Sequence, residues 1–565
     1  MKKHLLLLAL FSLLGFSKAN CQTPDWVWAR SGQCGSSTSG GAEGYSVSTD
    51  GSGYVYIGGF FYDTLILGPY VFNYARGVYI AKYDSLGNLK WAKCGPSGVS
   101  SQGIGTCIRT DVLGNTYFTG YYTGTQYFEN DTLINAGIYN IFLVKYDSLG
   151  NLLWAKSAGG TKTDRSWSIS FDGSENVYLT GDFSSSPCVF GSDTIISSGA
   201  GTTFLAKYDS SGNVLWVKNA IASVGAGAEG YAVATDAVGN IYVTGYFTGV
   251  SQSLIFGSDT LVNLGSGNIF LAKYDSSGNV QWAKRAGNTG YDRGVNIVTN
   301  VAGHVIITGT FSSSPITFGS CGSCILTSAG GSDAFLVEYD SSGHALWAKS
   351  IGGMGNDFGY SVATYNSNNL YIMGGSYISP TSVTFDTITL QYPTGSYDPS
   401  FIAGFDSSGN VQFAKVLASG SDDQIALAVS HSGSIYVCGD FYQINPFIVG
   451  KDTLYRVGYE NPFVAKLMYP QIGESVPEIS SSKEFILYPN PFEDKLTASP
   501  PAPLQRRGEK EGFELTLFDV FGRVLLRRSF INSATINTEQ LARGMYFYEI
   551  KDKDGVGARG KLVKQ

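Results

Sequence analysis

Four histidines, eight cysteines and 45 acidic residues are the side chains with which this 565-residue chain could hold metal ions or move protons. His4 lies in an apolar leader. His304, His344 and His431 fall where sister segments carry turn residues, so they read as solvated turn histidines. No G-x-S-x-G elbow and no H-E-x-x-H pair occurs, so serine-hydrolase and zincin chemistry lack their residues. Gly225-Ala-Gly-Ala-Glu-Gly230 matches G-x-G-x-x-G, but no strand-to-helix context surrounds it, and the dinucleotide reading fails. Cys321-Gly-Ser-Cys324 suits a small loop disulfide, since a zinc site needs four ligands and no second pair is evident. Cys94 and Cys107 form a second candidate pair. One constellation stands out. Asp164, Asp292, Asp357 and Asp422 share one position in successive repeats, and Glu43 and Glu229 share the next. Carboxylates gathered at one rim suit a cation or sugar hydroxyls, and calcium is the one cofactor they would take. The competing reading is a solvated loop rim whose Asp–Arg pairs contribute little.

The elements that position these residues come from self-similarity. Tyr-Asp-Ser-Ser/Leu-Gly-Asn recurs ahead of an aromatic, and the aromatics are Trp28, Trp91, Trp154, Trp216, Trp282, Trp347 and Phe413. They are 62 to 66 residues apart. Each unit carries four strand-like segments, as in Tyr231 to Thr235, Ile241 to Tyr246, Ile269 to Asp275 and Val280 to Lys284. Asp275-Ser-Ser-Gly-Asn279 and Asp236-Ala-Val-Gly-Asn240 read as turns, because Asp and Asn bond nearby backbone and glycine supplies a positive φ. A calcium loop would need more carboxylates at alternate positions.

Seven such units predict an all-β chain with a seven-bladed β-propeller. The repeated Trp would fill the gap between blades, and its loss would cost about 3–5 kcal/mol. The fourth strand type occurs once before the first unit, at Trp28, and is missing after Phe463-Val-Ala-Lys466. Asp25 to Arg30 is therefore expected to complete the last blade as an N-terminal clasp strand, removing an open sheet edge. In the propeller the rim carboxylates fall at one mouth of the central channel.

FLAKYDSSGNVLWVK (204–218) and FLAKYDSSGNVQWAK (270–284), with NIYVTGYF (240–247) upstream, resemble the family called seven-bladed β-propeller repeats, SBBP. The resemblance spans residues 25 to 468 and implies the fold, not the activity. Asp209-Ser-Ser-Gly212 with Trp216 is similar in parts to the Asp-box hairpin of sialidase-like propellers, at longer spacing. No acid pair suited to glycoside chemistry stands out. The expected function is a non-enzymatic binding or adhesion surface for an extracellular glycan or protein. The alternative is a propeller-type polysaccharide-acting hydrolase or lyase.

Composition sets the address. Charged residues are only 15%, glycines number 72, and the net charge is −7, which argues against a nucleic-acid partner. Lys2 and Lys3 precede an apolar run from Leu5 to Phe16, too short for a membrane span of about 20 residues. Residues 1–21 read as a secretory signal peptide, cut after Ala19 or after Cys21. Acylation of Cys21 is a third reading that its flanks Lys18 and Asn20 disfavour. No transmembrane span is expected. The propeller covers 22–468, and 469–482 reads as a linker.

Residues 483–565 carry 14 basic and 11 acidic residues, +3, so the part before them is −7 − 3 = −10. Their short strand-like runs suggest a small β-sandwich, with 500–512 as an exposed loop insertion. Tyr488-Pro-Asn490-Pro491, LFDVFGRVL (517–525) with Gly522, Gly544-Met-Tyr546 and the final Lys561-Leu-Val-Lys resemble the type A sorting domain of the Bacteroidetes type IX secretion system. That resemblance implies handling by the type IX machinery and an extracellular or outer-surface location. It also implies attachment to surface lipopolysaccharide, or release.

Overall fold

The computed structural model describes residues 24–35, 40–98, 100–111, 113–197, 201–365, 370–377, 382–391, 399–418, 425–442, 445–468, 486–488, 495–499, 512–518, 524–530, 534–541, 544–552 and 555–564. The expected signal peptide, Asp422, the expected linker, nearly all of the 500–512 insertion, and Asn490, Pro491 and Gly522 lie outside them. The described residues form strands and no helix. The chain divides at Pro470 into two compact units.

The first unit is built from seven four-stranded antiparallel sheets. In the fourth, Gly227–Thr235, Ile241–Thr248, Gly267–Tyr274 and Val280–Ala286 pair in chain order. Its second and third strands are buried almost throughout, so both read as continuous apolar runs. The fourth strand is an edge and keeps an alternating pattern. Between the second and third strands comes a short hairpin, Ser253–Phe256 with Asp259–Val262, that the four-strand reading of the unit did not include. The hairpin is tied down where Ala283 N–H donates to Asp259 at 2.7 Å.

The repeated turn works as its residues imply. Asp275 accepts from the N–H groups of Ser277 and Asn279 at 3.0 and 2.8 Å, and the Asn279 side chain donates to its other oxygen at 2.9 Å. Gly278 sits at φ 81°. The carboxylate is spent on the turn, which removes it as a calcium ligand.

The same turn is also a socket. A Cβ on Gly87, Gly150, Gly212, Gly278, Gly343 or Gly409 would strike the indole of Trp28, Trp91, Trp154, Trp216, Trp282 or Trp347, each from the preceding sheet. Trp91 and Trp347 donate their indole N–H to the carbonyls of Ser148 and Ser407 at 3.3 and 3.1 Å. Lysines on the third strands reach the same carbonyls, as Lys82 does to Ser148 at 2.9 Å. Six of the seven sheets thus plug a tryptophan into a glycine turn of the next.

The last sheet takes three strands from the end of the unit, Ala426–Val429, Ser434–Tyr442 and Glu460–Met468. Its fourth strand is Asp25–Ser31, paired antiparallel with Ala29 opposite Ala465. Trp28 then enters the Gly87 socket of the first sheet and donates to Ser85 at 3.0 Å, while Lys466 donates to the same carbonyl at 3.2 Å. A parallel bridge between Gly41 and Glu460 adds a second link between last and first sheets. Phe413 stands where a Trp is expected because the seventh sheet has no third-to-fourth turn. Instead Lys415 donates to Pro24 and pairs with Asp25 at the start of the N-terminal strand.

Cys321 and Cys324 are disulfide-bonded. Cys94 and Cys107 are both free, which corrects the second candidate pair. They belong to a fourth strand, Leu89–Pro96, and a first strand, Gly103–Thr110, the two opposite edges of their sheets.

The second unit, taken by itself, has two sheets. Ile486–Tyr488, Lys495–Ser499 and Ala534–Asn537 form one. Val524–Phe530, Phe513–Phe518, Gly544–Asp552 and Gly555–Lys564 form the other. Ile536 of the first packs with Leu515 and Ile550 of the second, and Leu496 packs with Leu517 and Leu562. The expected sandwich is present.

Candidate functional site

The inner edge of each sheet is its first strand, and six of the seven carry the same irregularity. Register shifts fall between Gly44 and Ser46, Gly105 and Cys107, Ser166 and Ser168, Gly230 and Ala232, Gly294 and Asn296, and Gly359 and Ser361. A bulge leaves one residue unpaired and re-aims its side chain. The skipped residues are Tyr45, Thr106, Trp167, Tyr231, Val295 and Tyr360. A second-strand glycine makes room for the bulge: a Cβ on Gly245 would lie 1.9 Å from the Glu229 carbonyl, and one on Gly181 equally close to that of Arg165.

All six skipped residues line a single cavity of about 220 Å³, to which all seven sheets contribute. Arg109 and Arg293 line it as well. Neighbouring first strands are tied together around it. Ile108 N–H donates to Ser46 at 3.1 Å, Thr106 to the Ser166 carbonyl at 2.9 Å, and Leu427 N–H to Ser361 at 3.0 Å. Thr299 donates to the Thr235 carbonyl at 2.8 Å. The cavity is smaller than the roughly 300–1,000 Å³ that encloses a drug-sized ligand, so it suits one ring or a chain end.

Aromatics continue from the cavity along the same edge. Trp167 meets Tyr121 and Tyr231 edge-on at 5.6 and 5.7 Å, and Tyr231 stacks on Tyr246 at 5.5 Å. Arg165 lies over the Trp167 ring at 5.1 Å. Its guanidinium pairs with Asp182 at 3.0 Å and with Glu229 at 3.3 Å. Trp167 donates its indole N–H to the other Asp182 oxygen at 2.7 Å. Burial pushes the Asp182 carboxyl up to about 7, against the pull of Arg165 and with a further push from Glu229. Burial, with the Glu43 charge adding, also raises the Tyr45 phenol.

The sequence-derived rim acids divide sharply. Asp164, Asp292 and Asp357 are fully buried and do not line this cavity. Asp164 accepts from Gly160 N–H at 2.8 Å, Ser184 and Ser185 N–H at 3.2 and 3.1 Å, and Ser185 Oγ at 2.6 Å. Asp292 does the same for Asn288, Ser312 and Ser313, and Asp357 takes the N–H of Gly353 at 2.7 Å. Asp164 and Asp292 each accept four hydrogen bonds and staple the loop ahead of their first strands. The next position points the other way along the strand. Glu43 and Glu229 are half-buried there, with Glu229 in the Arg165 cluster.

His304 and His344 occupy turns, as expected. His344 pairs with its own turn acid Asp340 at 3.0 Å, whereas His304 pairs with the buried Glu338 at 2.8 Å. Among the described residues no group of three His, Cys, Asp or Glu is placed to hold a metal ion. In the second unit Tyr488 begins the sandwich, Tyr546 is buried in its core, and Gly544 pairs across from Lys564 with Lys561 on the same closing strand.

Residues 486–565 match the secretion system C-terminal sorting domain. That tail indicates export by the type IX machinery and an extracellular or cell-surface-attached location. The chain is 29% identical over 354 residues to an uncharacterized WD repeat-containing protein of Acanthamoeba polyphaga mimivirus, covering 50% of this chain and 25% of that one. It is 26% identical over 179 residues to the regulatory protein FlaEY of Caulobacter vibrioides, covering 31% and 18%. The chain thus spans a quarter or less of these relatives. Among solved structures, a europium-containing methanol dehydrogenase aligns over 78% of this chain and 93% of its own, at 10% identity and a TM-score of 0.35. A member of the duf4221 family from Bacteroides vulgatus aligns over 64% and 92%, at 9% identity and 0.31.

Proposed function

We propose that the first unit is a closed seven-bladed propeller of SBBP-type repeats that serves as a non-enzymatic binding module outside the cell, with an extracellular glycan as its ligand. Support for closure comes from the Trp28 socket, which repeats between last and first sheets the contact made between sheets within the chain. Support for binding comes from one observation. Bulges on separate strands turn Tyr45, Trp167, Tyr231 and Tyr360, all half-buried, into one cavity. Apolar ring faces with a few fixed polar groups suit a sugar ring, and a rigid ring of sheets holds them without further ordering cost. After export, surface lipopolysaccharide is the anchor this reading expects.

The mature chain would be tested on an array of extracellular polysaccharides beside Trp167→Ala and Tyr231→Ala. The expected result is glycan binding that both variants lose while each still unfolds in a single cooperative transition. Binding that survives both variants, or no binding to any glycan, overturns the reading. A hydrolase or lyase has one observation in its favour, the near-neutral carboxyl of Asp182 beside Glu229. Arg165 engages both acids, which opposes it. Shortened oligosaccharides after incubation would decide for the enzyme.

A further inference from the structure

Two arginines occupy the same position on their first strands, and only one is neutralised. Arg165 faces Asp182 on the second strand, and the next sheet adds Glu229. Arg293 faces Thr310 instead, and the residue at the Glu229 position of the next sheet is Phe358. Among the described residues no carboxylate pairs with Arg293. Its Nε is buried without a partner, and so is Thr310 Oγ1. Directly opposed residues share one face of the sheet, so the two unmet donors stand together. Arg293 lines the cavity and sits over the Tyr291 ring at 5.4 Å.

A buried donor left unmet carries its full desolvation cost, and native proteins keep few of them. Arg293 lines the cavity, whereas Thr310 is buried outside the lining, so the arginine is the group a ligand can meet. A guanidinium fork matches a carboxylate or a sulfate. The nearby Glu229 is already taken by Arg165 at 3.3 Å. The chain carries a net −7, so long-range attraction does not favour an anion, and selectivity has to arise at this contact. Resting on the glycan reading above, we propose that Arg293 forms an anion subsite of the cavity that takes the carboxylate or sulfate of an acidic sugar whose ring lies against Tyr231.

The test is calorimetric titration of the full-length chain with four probes: a uronic-acid oligosaccharide, its carboxyl-reduced neutral counterpart, a sulfated oligosaccharide, and polyglutamate. The acidic form is expected to bind at least about tenfold more tightly than the reduced one. Arg293→Gln is expected to erase that preference. Arg293→Met is expected to erase it as well, and it decides the matter if Arg293→Gln does not fold. Which acidic probe binds identifies carboxylate or sulfate, and either supports the subsite. Equal binding of acidic and reduced forms, or a preference that survives both variants, overturns the subsite and leaves the glycan reading standing. Binding of polyglutamate in place of every saccharide overturns the sugar assignment. No binding by any saccharide overturns both.

Discussion

Replacing Trp28 with alanine probes the junction between the two ends of the first unit. The indole is 5% exposed and fills the Gly87 socket, with its N–H on Ser85 at 3.0 Å. A tryptophan buries about 150–250 Å². At about 25 cal/mol per Å² that amounts to roughly 4–6 kcal/mol before the alanine's own burial is subtracted. Measured Trp→Ala losses in cores run at about 3–5 kcal/mol, and the lost hydrogen bond adds about 1 kcal/mol. The expected cost is therefore about 4 kcal/mol. Trp282 makes the same contact within the chain but is only half-buried, with its N–H bond at 3.3 Å, so its alanine variant should cost about half as much. Trp28→Phe should keep most of the packing and lose the N–H bond, about 1–2 kcal/mol. Denaturant unfolding of the mature chain reads all three as midpoint shifts at unchanged slope. A Trp28→Ala cost under about 1 kcal/mol, or one equal to that of Trp282→Ala, would refute the socket argument.

Two further variants separate structure from binding. Asp164→Ala leaves the buried Ser185 N–H and Oγ and the part-buried Gly160 N–H without this acceptor, while Ser184 N–H keeps the Thr163 carbonyl at 2.8 Å; at about 1–3 kcal/mol per buried donor it should lose roughly 2–5 kcal/mol in unfolding experiments. A stable Asp164→Ala that has lost only ligand binding would contradict the staple role. Asp182 carries a pH signature. Its folded carboxyl is raised from 3.8 to about 7, so its contribution to stability is fully present below about pH 4 and lost as pH rises through 7. Asp182→Asn, which cannot ionise, should gain on the parent between pH 5 and pH 8. A stability difference that is flat or runs the other way over that interval counts against the assignment.

The sheets were legible because they repeat: the Asp-x-x-Gly-Asn turns, the spaced tryptophans and the displaced Trp28 each carry a physical requirement that the structure meets. The hairpins between second and third strands were not, because Ser253–Phe256 and Asp259–Val262 are too short to show a period. In the second unit, Gly555–Lys564 was missed because its glycines and charges are poor strand formers. The inward-turned residues stand three positions beyond the aligned acids: Trp167, Val295 and Tyr360 against Asp164, Asp292 and Asp357. Alignment found Asp164, Asp292 and Asp357, whose recurrence reflects a loop staple, while the cavity belongs to the residues beside and beyond them. A bulge breaks the two-residue alternation, so parity along the strand does not reveal which side chains turn inward. The usable signal was an aromatic held between two small residues, as in Gly44-Tyr45-Ser46, Ser166-Trp167-Ser168, Gly230-Tyr231-Ala232 and Gly359-Tyr360-Ser361. The unmet Arg293 needed the cross-strand register, which shows Thr310 where the sister sheet has Asp182.

The proposal of a closed ring around a ligand cavity is tested most directly by removing residues 22–30 and following thermal unfolding. That deletion takes the fourth strand from the last sheet and the aromatic from the Gly87 socket at once. The account predicts a large fall in the melting midpoint and loss of a single sharp transition. An unchanged midpoint and an equally sharp transition would contradict it.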